Sequence, residues 1–133
     1  LAVEMFVVGD THELIVNEIA PRPHNSGHHT IDACAADQFQ QQVRIMCGLP
    51  PADTRLLSSC CMANILGDVW GANGEEPNWL LLQNHTAAHL HQYGKKAARA
   101  GRKMGHFTLL AADSDEALAT AQQLHQSLAS LAK

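Results

Sequence analysis

Two acids inside apolar sequence are the first residues that could do chemistry. Glu4 sits in Val3-Glu4-Met5-Phe6 and Glu18 in Asn17-Glu18-Ile19-Ala20. The runs Leu1–Val8 and Glu13–Ile19 flank Gly9-Asp10-Thr11-His12, which predicts a β-hairpin. A loop from Gly9 to Glu13 pairs residues whose numbers sum to about 22 and sets Glu4 opposite Glu18; a slip of one sets Asn17 there instead. Directly opposed side chains have Cβ atoms about 5 Å apart, and like charges at that distance repel. A divalent cation between the two carboxylates resolves the repulsion, because hard cations take carboxylate oxygens. The alternative is that one Glu turns to solvent at a sheet edge.

Two further stretches concentrate polar chemistry. Pro21–His29 is an irregular loop set by Pro21, Pro23 and Gly27, and it carries Arg22, His24, Asn25, Ser26, His28 and His29. It starts three residues after Glu18, so a metal there would lie beside it. The Arg22 guanidinium is a planar fork suited to carboxylate or phosphate; His24 and Asn25 could hold small anionic groups. Gly94–His106 packs five Lys or Arg and three Gly into thirteen residues, in a chain with nine Lys and Arg in all. Clustered cations on flexible backbone suit a phosphate-bearing small ligand. For both stretches, a solvated loop is the plainer alternative.

Composition bounds the rest. A chain of 133 residues holds one domain or one and a part, and a net charge of −4 argues against a dominant nucleic-acid or membrane surface. No run is apolar enough to span a membrane and no signal peptide opens the chain. Cys34, Cys47, Cys60 and Cys61 form no CxxC, the pattern of a reduced intracellular chain with buried thiols. The chain lacks an initiator Met and opens in mid-strand, which suggests a piece of a longer protein.

The elements that must position these residues follow from pattern. Thr30 is a candidate N-cap for a helix over Ile31–Cys47, with Ile31, Ala35, Phe39, Val43 and Met46 on one stripe, a solvated Gln face at Gln38 and Gln40–Gln42, and Gly48 as its stop. Pro50–Thr54 is the candidate boundary. Leu56–Leu66 reads as a strand, Gly67–Asn78 as a loop whose Trp70 packs, Trp79–Gln83 as a helical turn or strand, and Ala87–Tyr93 as a strand. His89, His91 and Tyr93 share one face of that strand; a zinc site there lacks a carboxylate or Cys at suitable spacing, and a half-exposed face is the better reading. Phe107–Ala111 is the last strand. Asp113 and Glu116 form a capping box for a final helix striped by Ala117, Leu118, Ala121, Leu124, Leu128 and Leu131.

Glu4 in VEMF, then NEIAPRPHNSGH, then HQYGKKAARAGRKMGH, together resemble the C-terminal portion of the N5-carboxyaminoimidazole ribonucleotide synthetases, ATP-grasp ligases of purine biosynthesis. The resemblance covers essentially the whole chain. It implies an α+β fold: residues 1–52 close an ATP-grasp domain, and residues 53–133 form a small β-rich, barrel-like lobe with a packed C-terminal helix. It implies ATP with Mg²⁺ (or Mn²⁺) as cofactors, Glu4 and Glu18 as metal ligands, and Asn17 with Glu18 at the nucleotide. It places Arg22, His24 and Asn25 at bicarbonate and carboxyphosphate, and Lys95, Arg99, Arg102 and Lys103 at the phosphate of aminoimidazole ribonucleotide. The loop departs from the family at Ala100, where Pro is usual. A cytoplasmic homodimer is implied for the longer enzyme, with no nucleic acid or membrane partner. The nucleotide-covering lysines and glycine-rich loop lie upstream in the family, so the 133-residue piece is expected to be inactive alone. Two alternatives stand beside this: a non-catalytic module that binds a phosphorylated ligand or a partner, and another ATP-grasp ligase such as the formate-dependent glycinamide ribonucleotide formyltransferase.

Overall fold

The computed structural model describes residues 1–130 and shows an α+β chain with two antiparallel sheets. The first sheet is the hairpin: β1 (Ala2–Val8) and β2 (Glu13–Ala20), joined by a 3-10 turn at Gly9–Thr11 and closed by His12 in a left-handed conformation. Glu4 pairs with Glu18 and Met5 pairs with Val16, so Asn17 is an extra residue on β2. This is a bulge, and it turns Asn17 and Glu18 toward the same partner. The two registers weighed from sequence are thus combined in one irregularity.

The second sheet has the order β3-β5-β4, from β3 (Ser59–Leu66), β5 (Lys103–Ala111) and β4 (Ala88–Gln92). The central strand begins at Lys103, four residues before the expected Phe107, so the end of the basic stretch is strand rather than loop. Helix α4 (Ser114–Ser130) lies on this sheet, capped by Asp113, whose Oδ1 accepts from the Asp115 and Glu116 amides, while Glu116 accepts from Ala112. Ile65, Val69, Leu82, Phe107, Leu109, Ala121 and Leu128 form the core, with Trp70 and Trp79 packed edge to face at its border. Leu118 is exposed, so the apolar stripe of α4 is narrower than its sequence suggests; Leu131 lies outside the described residues. The short helix α3 (Leu80–Gln83) carries Leu82 into the core.

The expected helix over Ile31–Cys47 is two helices. α1 (Thr30–Ala33) ends at Cys34, which bridges to Leu56, and α2 (Gln38–Met46) starts afresh under an Asp37 cap that accepts from the Phe39 and Gln40 amides. The Ala35 amide donates to the Arg55 carbonyl, so tertiary pairing replaces one helical turn. Val43 and Met46, expected on the buried stripe, are exposed, and so is Cys47; the other three cysteines are half-buried and all four are free. Burial pushes the Cys60 and Cys61 thiols up, which suits unreactive packing. Among the described residues no helix is long and apolar enough to cross a membrane.

Candidate functional site

The central strand β5 is buried on both faces. One face, Phe107 and Leu109, meets the core; the other carries His106 and Thr108. On that second face the ladder sets Asn64, His106 and His91 side by side across β3, β5 and β4. Each member of this row is covered by one residue of the segment 25–32. Asn25 makes a reciprocal amide pair with Asn64 (2.8 and 3.1 Å), His28 stacks on His106 (ring centroids 5.0 Å apart), and Asp32 takes His91 Nε2 at 2.9 Å. The spacing 25, 28, 32 is that of one face of helical and 3-10 turns, which is the local conformation here: a 3-10 turn at Asn25–Gly27, then α1.

That docking aims the preceding residues. His24 lies 3.8 Å from Glu4 Oε2 through Nδ1 and 3.9 Å from Glu18 Oε2 through Nε2. Asn17 Nδ2 donates to Glu4 Oε1 at 2.7 Å. Glu4, Glu18 and His24 offer ligand atoms that all lie within 4.8 Å of one another. Two carboxylates fit a hard divalent cation by donor type, and the His24 ring nitrogen is the third donor of the group. Arg22 is 4.0 Å from Glu18 and donates to the Pro23 carbonyl (3.1 Å). Ser26 Oγ is 2.9 Å from His24 Nδ1.

Asn25 turns the other way, toward the basic stretch. Lys103 Nζ donates to Asn25 Oδ1 at 2.8 Å. Lys95 bonds the Lys103 carbonyl and lies over the Tyr93 ring at 5.4 Å. Arg102 Nη1 donates to the Ala97 carbonyl (2.8 Å), and Gly101 N to Asp68 Oδ2 (2.7 Å), which closes the loop around residues 97–102. Lys95, Arg99 and Lys103 are exposed, Arg102 half-buried. Of the ten residues singled out from sequence, Glu4, Asn17, Glu18 and Arg22 gather with His24; Lys95 and Lys103 gather with Asn25. Arg99 and Arg102 stay on the loop. A cavity of about 400 Å³ between Pro21, Pro23, Gln38, Gln41 and Met46 takes in Arg22 alone of these ten, so the candidate site is the open face between the two groups rather than that cavity.

Sequence reasoning missed two participants, Gln38 and Asp32, and misread a third residue, Gln41, which lies outside the candidate site. Gln38, read as part of a solvated face, accepts from His24 N and donates to His24 O (2.8 Å each) and to His28 Nδ1 (2.8 Å). Gln41 likewise brackets Ala52 through its N and O, at 3.0 Å each. Asp32 supplies the carboxylate that the His89/His91/Tyr93 face lacked, from a point 59 residues away. The Asp32, His91 and His106 ligand atoms gather within 4.8 Å, yet the two imidazoles are parallel (12°, 4.5 Å), so their in-plane lone pairs run side by side instead of converging on one ion. The cluster is a hydrogen-bonded stack. Burial, then the neighbouring histidines, pushes His106 down to about 4 against the pull of Asp32. His28 is lowered by burial and by Lys103. Burial raises the Tyr93 hydroxyl, 2.9 Å from His106 Nδ1. The lowered His28 and His106 rings stack without charge repulsion near neutral pH.

A hairpin with two opposed acids thus leads into a Pro/His/Asn loop that docks on a small sheet, and both parts have counterparts among known proteins of the ATP-grasp class. Residues 1–39 match the ATP-grasp domain family, and residues 60–120 match the phosphoribosylaminoimidazole carboxylase C-terminal domain. The chain belongs to the N5-carboxyaminoimidazole ribonucleotide synthetase family. It is 49% identical over 116 residues to the N5-carboxyaminoimidazole ribonucleotide synthase of Bacillus subtilis, covering 87% of this chain and 29% of that one. The synthetase structure from Thermotoga maritima superposes with a TM-score of 0.80 at 42% identity, over 93% of this chain and 34% of that one. The enzyme from Aspergillus clavatus, in complex with ADP and 5-aminoimidazole ribonucleotide, superposes with a TM-score of 0.75 at 38% identity, over 95% of this chain and 34% of that one. The chain thus spans about a third of the length of these relatives.

Proposed function

We propose that this chain is the closing part of an ATP-dependent carboxylating ligase that converts 5-aminoimidazole ribonucleotide, bicarbonate and ATP to N5-carboxyaminoimidazole ribonucleotide, ADP and phosphate. The observation that carries the reading is the opposed aim of two adjacent residues: His24 faces Glu4 and Glu18, while Asn25 holds Lys103 of the basic stretch. A transfer between two substrates needs its two binding regions to meet at one place, and here they meet across one peptide bond.

Roles follow from charge and aim. Glu4 and Glu18, with Asn17 alongside, would hold Mg²⁺ or Mn²⁺ at the ATP phosphates, where a bound divalent cation offsets charge during phosphoryl transfer. Arg22, His24 and Asn25 orient bicarbonate and stabilise the anionic carboxyphosphate made when a bicarbonate oxygen attacks the γ-phosphorus and ADP leaves. The exocyclic amine of the ribonucleotide then takes the carboxyl carbon, directly or as released carbon dioxide; phosphate departs and the amine loses a proton. Lys95, Arg99, Arg102 and Lys103 bind the ribose phosphate. Residues 1–52 serve the nucleotide side and residues 53–133 the ribonucleotide side, the latter as the barrel-like lobe of a longer homodimeric, cytoplasmic enzyme of de novo purine synthesis.

The test is bicarbonate-dependent ATP hydrolysis by the full-length protein that carries this segment. Glu18→Ala should abolish it, and the 133-residue chain alone should show none. Unchanged hydrolysis in Glu18→Ala removes Glu18 from the metal site; no carboxylation by the intact full-length protein overturns the reading and leaves a binding module.

A further inference from the structure

We propose that Gln38 is a positioning residue that presets His24 against the acid pair, an inference that rests on the ligase reading above. Three features single it out. Its amide meets both backbone groups of His24: Oε1 accepts from His24 N and Nε2 donates to His24 O, at 2.8 Å each. A backbone N–H can only donate and a carbonyl only accept, so the side-chain amide has one possible orientation. The same Nε2 donates to His28 Nδ1 at 2.8 Å, which requires a bare lone pair there and holds His28 neutral.

The clamp is itself anchored. Gln38 opens α2, and its backbone N–H donates to Thr30 Oγ1 (3.1 Å), which in turn donates to the Gly27 carbonyl (2.6 Å). The His28 ring lies between Phe39 (5.8 Å) and His106 (5.0 Å), and His106 rests on His91, which Asp32 holds. A four-ring column standing on the sheet therefore fixes the far end of Gln38. Gly27 leaves the room for it: a Cβ there would lie 2.7 Å from Gln38 Oε1. His24 lies between Pro21-Arg22-Pro23 and a single 3-10 turn: its carbonyl accepts from Gly27 N at 3.0 Å as well as from Gln38 Nε2, while among the described backbone bonds its N–H has no partner, and Gln38 Oε1 supplies one.

Glutamate is the informative replacement. Gln38→Glu keeps the shape and the bond from His24 N, loses both donations, and sets a carboxylate against the His24 carbonyl and the His28 lone pair. His28 then gains a reason to take up a proton. In the full-length protein, Gln38→Glu and Gln38→Ala should each lower kcat about tenfold to a hundredfold, as expected when a reacting group is displaced by a fraction of an ångström to an ångström. KM for the ribonucleotide should stay within about twofold, because Lys95 to Lys103 are untouched. Gln38→Glu should also move the acid limb of the kcat–pH profile, and the His28 ring titration seen by NMR, to higher pH, whereas Gln38→Ala should not. A merely structural residue would lower the melting temperature and leave the kcat–pH profile in place. Wild-type kcat in both variants, or equal pH profiles for Gln38→Glu and Gln38→Ala, overturns the inference. An inactive wild-type protein overturns the ligase reading instead, so the two failures are separable.

Discussion

The backbone of Arg99 rests directly on Gly67: a Cβ at Gly67 would fall inside contact with both the amide nitrogen and the carbonyl oxygen of Arg99. Gly67 N also donates to the Arg102 carbonyl at 2.8 Å, and neighbouring Asp68 takes the Gly101 amide. The cationic loop is thus seated on the end of β3 by backbone groups that cannot swing aside. Gly67→Ala should push residues 99–102 outward. The expected outcome is a rise of about tenfold in KM for the ribonucleotide with KM for ATP within about twofold, read from steady-state kinetics of the full-length protein. Equal rises in both constants would mean general misfolding instead.

Asn17 stands in the bulge and donates to Glu4 Oε1 at 2.7 Å. That bond holds one carboxylate beside another without requiring a proton. Asn17→Ala frees the Glu4 side chain and restores the like-charge repulsion across the pair. The Mg²⁺ concentration for half-maximal ATP hydrolysis should rise by about fivefold or more, corresponding to one lost charge-assisted hydrogen bond. An unchanged metal requirement would detach Asn17 from the site.

What could be read from residue types, and what could not, divides along contact distance. The Glu4/Glu18 pairing was legible because a hairpin is a local object: loop length sets the register. The bulge at Asn17 was not, since it depends on what the strand must aim at. The capping of α4 by Asp113 was likewise local. The break between α1 and α2 carries a local signal, Asp37 before Gln38-Phe39, which the apolar stripe from Ile31 to Met46 masked; Ala35 left the helix for Arg55, a partner no window contains. Gln38 looked solvated for the same reason: its partners His24 and His28 lie before the break. Asp32 and His91 meet only because β4 and α1 dock on one sheet.

His106 gives a pH signature. It is 2% exposed, and its folded value near 4 lies below the ordinary 6.5. The unfolded chain therefore binds more protons as pH falls through 6.5, and stability is lost progressively down to the folded value; above 6.5 nothing is lost. Between pH 7 and pH 5 the loss from this residue is about 2 kcal/mol. The lowered His28 adds in the same direction. His106→Gln, which cannot titrate, should flatten the fall in melting temperature over that window relative to the wild-type protein. A slope equal to wild type would place the titration elsewhere.

The hairpin is apolar on both faces. Phe6 pairs with Ile15 and Val7 with Leu14, adjacent pairs that point to opposite sides, yet Phe6 is 57%, Val7 62% and Leu14 61% exposed. On α2, Met46 is 78% exposed. A two-stranded ribbon is marginal by itself, and strands apolar on both sides occur where both sides are covered. The 133-residue chain should accordingly bind a hydrophobic dye such as ANS and self-associate. Val7→Lys with Leu14→Glu puts an attractive cross-strand pair on one face and should cut dye binding by about half or more. In a longer protein that covers this face, the same double change should act in the opposite sense and lower the melting temperature, because the charges would be buried. If the substitutions are harmless in the full-length protein, that face of the hairpin is solvent-exposed there too.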